Sequence, residues 1–153
     1  MSHPEEKLAA LGLKLPEVAK PVAAYVPAVR TGDLVYTSGQ LPLREGTLIA
    51  TGKVGDAVTP EVASECAQQC ALNALAAIKA DIGDLANVKR IVKAVAFIAS
   101  TPDFTGQPQV ANGASELFGQ VFGAAGQHAR SAVGVPVLPL DAPVEVELIV
   151  EVG

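Results

Sequence analysis

The stretch ARSAVGVPVLPLDAPVEVELIVEV, residues 129–152, reads as two apolar strands flanking a proline-marked turn. The first strand begins beside Arg130, the turn runs through Leu138-Pro139-Leu140-Asp141, and the second strand carries Glu145. From Val144 to Val152 the valines and Leu148 share one face, while Glu145, Glu147, Glu151 and Ile149 share the other, which is the period of a strand. Paired antiparallel, two such strands bring a guanidinium and a carboxylate to one end of a sheet. A guanidinium fork holds a carboxylate ligand in a fixed plane, and a nearby glutamate can handle a proton or a water.

The elements upstream supply the rest of that sheet and its cover. Gln109 to Gly123 carries Val110, Leu117, Phe118 and Val121 as a helical stripe. Asn87 to Ala99 alternates from Ile91 onward, and its β-branched content predicts a strand buried on both faces. Before it, Thr59-Pro60-Glu61 is a strong helix start, because Thr caps, Pro suits the first turn and Glu suits the positive end. The helix then runs from Val62 to Ile82 with Val62, Cys66, Cys70, Leu75, Ile78 and Ile82 as its apolar positions, and Gly83 stops it. Val22 to Val29 and Asp33 to Gln40 read as two strands joined by Arg30-Thr31-Gly32-Asp33, with a short third strand at Thr47 to Thr51. Residues 1–20 are polar and proline-punctuated, with a short helix at Pro4 to Leu11.

The order β-β-(β)-α-β-α-β-β is an α+β pattern, with two helices covering one face of a mixed sheet. The other face stays bare in a single copy, and its valines and isoleucines, Ile149 among them, invite a second subunit. No repeat or linker divides the chain, so a single domain over 1–153 is expected, residues 1–20 forming an N-terminal extension.

Half of the 153 residues are hydrophobic but only 4% are aromatic, so the core must be built from Val, Ala, Leu and Ile. A net charge of −5 and a pI near 4.9 argue against a nucleic-acid partner, which calls for a basic stripe. No apolar run approaches the roughly 20 residues that span a bilayer, and Met1-Ser-His-Pro-Glu-Glu-Lys lacks the layout of a signal peptide. The expectation is a soluble cytoplasmic protein without a membrane partner. Cys66 and Cys70 lie four apart on one helix, where side chains run in parallel and are poorly set for a disulfide. With only His3 and His128 besides, and no ligand spacing to them, no metal site and no cofactor are expected; buried thiols are the plain reading.

Arg130 is the first candidate for chemistry, because Ala129, Ser131, Ala132 and Gly134 leave room beside it. Glu145 competes with Glu147, Glu151 and Asp141, and position alone does not choose among them. Tyr25 has a phenol that can donate to an anion, and Ser38-Gly39 closes a strand where glycine lets backbone approach a ligand. Each residue also has a structural reading: a solvated strand-end arginine, a solvated sheet edge, a packing tyrosine and a turn glycine.

Four short motifs in order now carry a resemblance. They are Tyr25, thirteen residues before Ser38; Tyr36-Thr37-Ser38-Gly39-Gln40-Leu41-Pro42; Ala129-Arg130-Ser131; and Leu138-Pro139 followed by Val144-Glu145-Val146-Glu147. The chain resembles the reactive-intermediate deaminase family (RidA, or YjgF-like) from Tyr25 to Val152. The resemblance implies a chorismate-mutase-like fold. It also implies a homotrimer whose three sheets form a central barrel, with sites in the clefts between subunits. It further implies a cofactor-independent enamine/imine deaminase acting on 2-aminoacrylate-like intermediates and releasing a 2-keto acid and ammonia. On that analogy Arg130 holds the substrate carboxylate, Glu145 handles the water, and Tyr25, Ser38, Gly39, Asn112 and Ala132 contact the ligand. The chain departs from the pattern at Ala132, where family deaminases usually carry Cys, and at Gly134, where they often carry Glu. This marks a divergent branch. A non-catalytic small-carboxylate binder or sensor of the same fold is the alternative, and an endoribonuclease, a label some relatives bear, is the third.

Overall fold

The computed structural model describes residues 3–18 and 24–153. Its elements are α1 (Pro4–Ala10), β1 (Ala28–Thr31), β2 (Leu34–Thr37), β3 (Leu43–Arg44), β4 (Thr47–Leu48), α2 (Pro60–Ile82), β5 (Val88–Ala99), α3 (Gln107–Phe122), β6 (Ala129–Val135) and β7 (Val144–Val152). The first strand begins at Ala28, so Tyr25 precedes it rather than lying within it; positions 22 and 23 of the expected strand lie outside the described residues. The short strand at Thr47 pairs with Leu43–Arg44 in a hairpin of its own, separate from the main sheet.

The main sheet has the order β1-β2-β7-β5-β6, antiparallel throughout except for β5 and β6. This corrects the expectation that the strands of Arg130 and Glu145 pair. A helix joins β5 to β6, and such a crossover returns the chain parallel to the strand it left. β6 therefore takes one edge of β5, and the segment 136–143 carries the chain across to the other edge, where β7 inserts between β5 and β2.

The helices form where their ends are locally specified. Thr59 Oγ1 accepts from the Val62 amide at 3.2 Å, and Pro60 occupies the first turn of α2. Ala63, Ala67, Ala71 and Ala74 are buried and bring α2 close to the sheet beside Cys66, Cys70, Leu75 and Ile78. Val62, expected in this stripe, is exposed. α3 contributes Val110, Ala111, Ala114, Leu117, Phe118 and Val121 to the same core. A third helix joins these two. Leu8 of α1 is buried in the main core, Glu5 pairs with Lys79, and His3 sits 2.6 Å from Asp84.

The sheet buries one face only. β7 alternates buried and half-buried residues along its whole length, with Val144, Val146, Leu148, Val150 and Val152 toward the helices. β5 was expected to be buried on both faces; instead Val92, Val95 and Phe97 stay partly exposed opposite buried Ala94, Ala96 and Ile98. With Val29, Tyr36 and Val133 they leave a broad apolar face uncovered in a single copy. Among the described residues no helix is long and apolar enough to cross a membrane.

Candidate functional site

Arg130 pairs with Ala94 of β5, which in turn pairs with Leu148 of β7; both are buried against the helices. The arginine shares their face, at the outer edge of the sheet under α3. There its Nη1 donates to Asn112 Oδ1 at 2.7 Å and to Ser115 Oγ at 3.2 Å. Asn112, which the resemblance gives as a ligand contact, is thus held against Arg130. Ala132 and Gly134, two and four residues on, continue the same face with little side-chain bulk. Gly134 borders an open cavity of about 570 Å³ together with Lys53, Ser100, Phe104 and Gln107.

Glu145 belongs to another row. It pairs with Phe97, which pairs with Val133, and all three lie on the uncovered face. Burial and the neighbouring charge of Glu147 raise its carboxyl above the ordinary carboxylate range. Gly39 lies directly against it, since a β-carbon at position 39 would stand 2.8 Å from Glu145 Cδ. A side chain at position 39 would make the flexible Glu145 carboxylate give way. Gly39→Ala is therefore expected to push the Glu145 carboxylate aside at little cost to the fold, which melting temperatures of the two proteins would check. Ser38 donates its hydroxyl to the Val26 carbonyl at 2.6 Å and thereby anchors the segment that carries Tyr25, whose ring is exposed.

The candidates therefore fall into two groups. Arg130 and Asn112 sit on the helix side of the sheet with Ala132, while Glu145, Gly39, Ser38 and Tyr25 gather around its open side. Arg130 and Glu145 are separated by β5 and by the three residues from Ala94 to Phe97, or about 14 Å between α-carbons. Within one chain they cannot grip one small ligand. This overturns the expectation that they meet at one end of a strand pair, and the cause is the insertion of β5 between them.

Sequence reasoning missed Ser115 and His128. Ser115 Oγ lies 2.8 Å from His128 Nε2, and His128 Nδ1 lies 2.6 Å from the Gly126 carbonyl oxygen. The available signal was spacing: Ser115 is three residues after Asn112 on one helix face, and His128 is two before Arg130, just ahead of β6. The cysteines are free and buried, and burial pushes the Cys66 thiol up to about 11 and raises that of Cys70 well above its ordinary value. The described residues hold no group of three or more His, Cys, Asp or Glu side chains able to hold a metal ion.

Comparison with known proteins places this geometry among relatives. The family model described as "YjgF/chorismate_mutase-like, putative endoribonuclease" matches residues 5–152. Protein TCP17 of Trypanosoma cruzi is 45% identical over 94% of this chain and 90% of its own. A protein of Dermatophagoides farinae named 2-iminobutanoate/2-iminopropanoate deaminase is 33% identical over 90% of this chain and 93% of its own. Among solved structures, the protein Atu1372 of Agrobacterium tumefaciens, described as of unknown function, superimposes with a TM-score of 0.92 at 44% identity; the match covers 98% of this chain and 93% of that one.

Proposed function

From the premise that this chain belongs to the YjgF/chorismate mutase-like family, we propose that it is a cofactor-independent enamine/imine deaminase. Its substrates are 2-aminoacrylate-like intermediates, and its products are a 2-keto acid and ammonia. The observation that carries this reading is the tethered guanidinium of Arg130, held by Asn112 and Ser115 on a sheet edge flanked by small residues. An arginine so placed is built to take a carboxylate.

The active unit is a homotrimer with its sites between subunits. One copy supplies Arg130, Asn112 and Ala132; the next supplies Glu145, Gly39, Ser38 and Tyr25. The separation of the two groups within a chain supports this arrangement, and so does the apolar sheet face that a neighbouring copy would cover. Light scattering at neutral pH is expected to give three times the 15.6 kDa chain mass. A clean monomer would leave both half-sites without partners and refute the arrangement.

The chemistry asked of the site is small. Arg130 fixes the carboxylate, and the imine carbon of the bound 2-imino acid faces a water held by Glu145. The carboxylate of Glu145 takes a proton from that water as its oxygen bonds to the imine carbon. That proton passes to the imine nitrogen and completes the carbinolamine; the same carboxylate then moves the hydroxyl proton to the nitrogen as the C–N bond breaks, so ammonia leaves as the carbonyl forms. A carboxyl raised by burial and by Glu147 suits a group that must both accept and return a proton. The substrate and the enzyme meet in the cytoplasm on this reading.

A sensor that binds small carboxylates without turnover is the second reading, favoured by Ala132 and Gly134 where family deaminases carry Cys and often Glu. Ribonuclease action has the weaker basis, since a net charge of −5 opposes binding to a phosphate backbone. The deciding experiment adds purified protein to a serine or threonine dehydratase reaction and follows keto-acid release in time. Acceleration over the protein-free control supports the deaminase; ligand binding without acceleration supports the sensor.

A further inference from the structure

Arg130 is the start of a hydrogen-bond chain with a single direction. Its Nη1 has two hydrogens, and Asn112 Oδ1 and Ser115 Oγ take both. At the far end the Gly126 carbonyl, 2.6 Å from His128 Nδ1, can only accept, so in the neutral ring Nδ1 carries the proton. Nε2 is then an acceptor, and the one hydrogen of Ser115 must point to it across 2.8 Å. The Ser115 oxygen is left with its lone pairs toward Arg130. Every donor and acceptor along Arg130–Ser115–His128–Gly126 is used in one sense only, and such chains polarise and stiffen one another.

Packing fixes the chain's far end. The His128 ring stands edge-on to Phe118, centroids 5.4 Å apart at 86°, and Phe118 is fully buried. A β-carbon at Gly126 would lie 2.1 Å from the Phe118 carbonyl oxygen, so only glycine lets the 123–126 turn come down onto α3 and present its carbonyl to His128.

We infer that Ser115 and His128 are positioning residues that lock the Arg130 guanidinium and commit its Nε–Nη2 edge to the ligand carboxylate. With Nη1 fully occupied, the end-on fork through Nη1 and Nη2 is closed. The side-on edge keeps Nε–H and the Nη2 hydrogens in one plane, matched to two carboxylate oxygens. The inference rests on the reading of Arg130 as carboxylate anchor and adds how this chain prepares that anchor.

Calorimetric titration with 2-oxobutyrate tests it without requiring turnover. Ser115→Ala and His128→Phe, the latter keeping a ring against Phe118, are each expected to weaken binding about 3- to 10-fold, the range of one hydrogen bond. Because both act through one chain, the double variant should be no weaker than the worse single one. Ser115→Thr, which keeps the hydroxyl, should restore affinity; a merely structural loss at this position would not show that rescue. Arg130→Ala serves as the reference and should abolish binding. Unchanged affinity in Ser115→Ala beside lost affinity in Arg130→Ala overturns the positioning role alone. Additive losses in the double variant overturn it too. Unchanged affinity in Arg130→Ala refutes the anchor reading and this inference with it.

Discussion

Replacing Glu145 by Gln is expected to slow imine hydrolysis by about one to three orders of magnitude, the usual weight of a single positioned base. The amide keeps the size and the packing against Gly39, so the loss isolates proton transfer. Carboxylate affinity should change little, or rise as a negative charge leaves the site. Glu145 must be ionised to act as a base and its carboxyl is raised, so the acid limb of the rate profile should lie above the ordinary carboxylate range and vanish in the Gln variant. Stability should move the opposite way. A carboxyl whose folded pKa is raised contributes stability below its unfolded pKa and loses it as pH rises through the folded value. The neutral Gln variant should therefore melt somewhat higher than wild type at neutral pH. If Glu147→Gln is the damaging change instead, the active row runs through Val95 and Ser131 rather than Phe97 and Val133.

Arg130→Ala should abolish measurable binding of pyruvate or 2-oxobutyrate while leaving the fold intact. A charge-assisted contact of this kind is worth about 1.5–3 kcal/mol or more. The variant also leaves Asn112 Oδ1 and Ser115 Oγ without their shared donor, though both are near enough to the surface to recruit water. Arg130→Lys should not restore full affinity, because an ammonium presents no planar fork and cannot serve Asn112, Ser115 and a bidentate ligand together. Calorimetric titration with full-length protein checks both variants; wild-type affinity in Arg130→Ala would move the site elsewhere.

What the sequence made legible was local. The cap at Thr59, the alanine-rich face of α2, the stripe of α3 and the alternation of β7 each depend on neighbours within a turn or a pleat. They came out within a few residues of the structure. Strand pairing was not legible, because hydrogen-bonding partners such as Ala94 and Arg130 lie far apart in the chain and no period in residues 129–152 says that β5 comes between. The same limit governed the site. Arg130 and Glu145 stood out as residue types in matching motifs, yet their faces could be assigned only once the strand order was known. Asn112 meets Arg130 because a helix and a strand joined by the 123–126 turn fix that distance in space rather than in sequence. His128 was passed over as a lone histidine with no metal spacing, and its role emerged only when α3 set Ser115 beside it.

The central claim is that a working site takes Arg130 from one copy and Glu145 from another. Subunit exchange between Arg130→Ala and Glu145→Gln proteins, each strongly impaired alone, tests it most directly. In randomly mixed rings about a quarter of the interfaces would join an intact Arg130 to an intact Glu145, so keto-acid release should recover to about a quarter of the wild-type rate. If the mixture stays as impaired as its components after confirmed exchange, each site is built within one chain and the account is wrong.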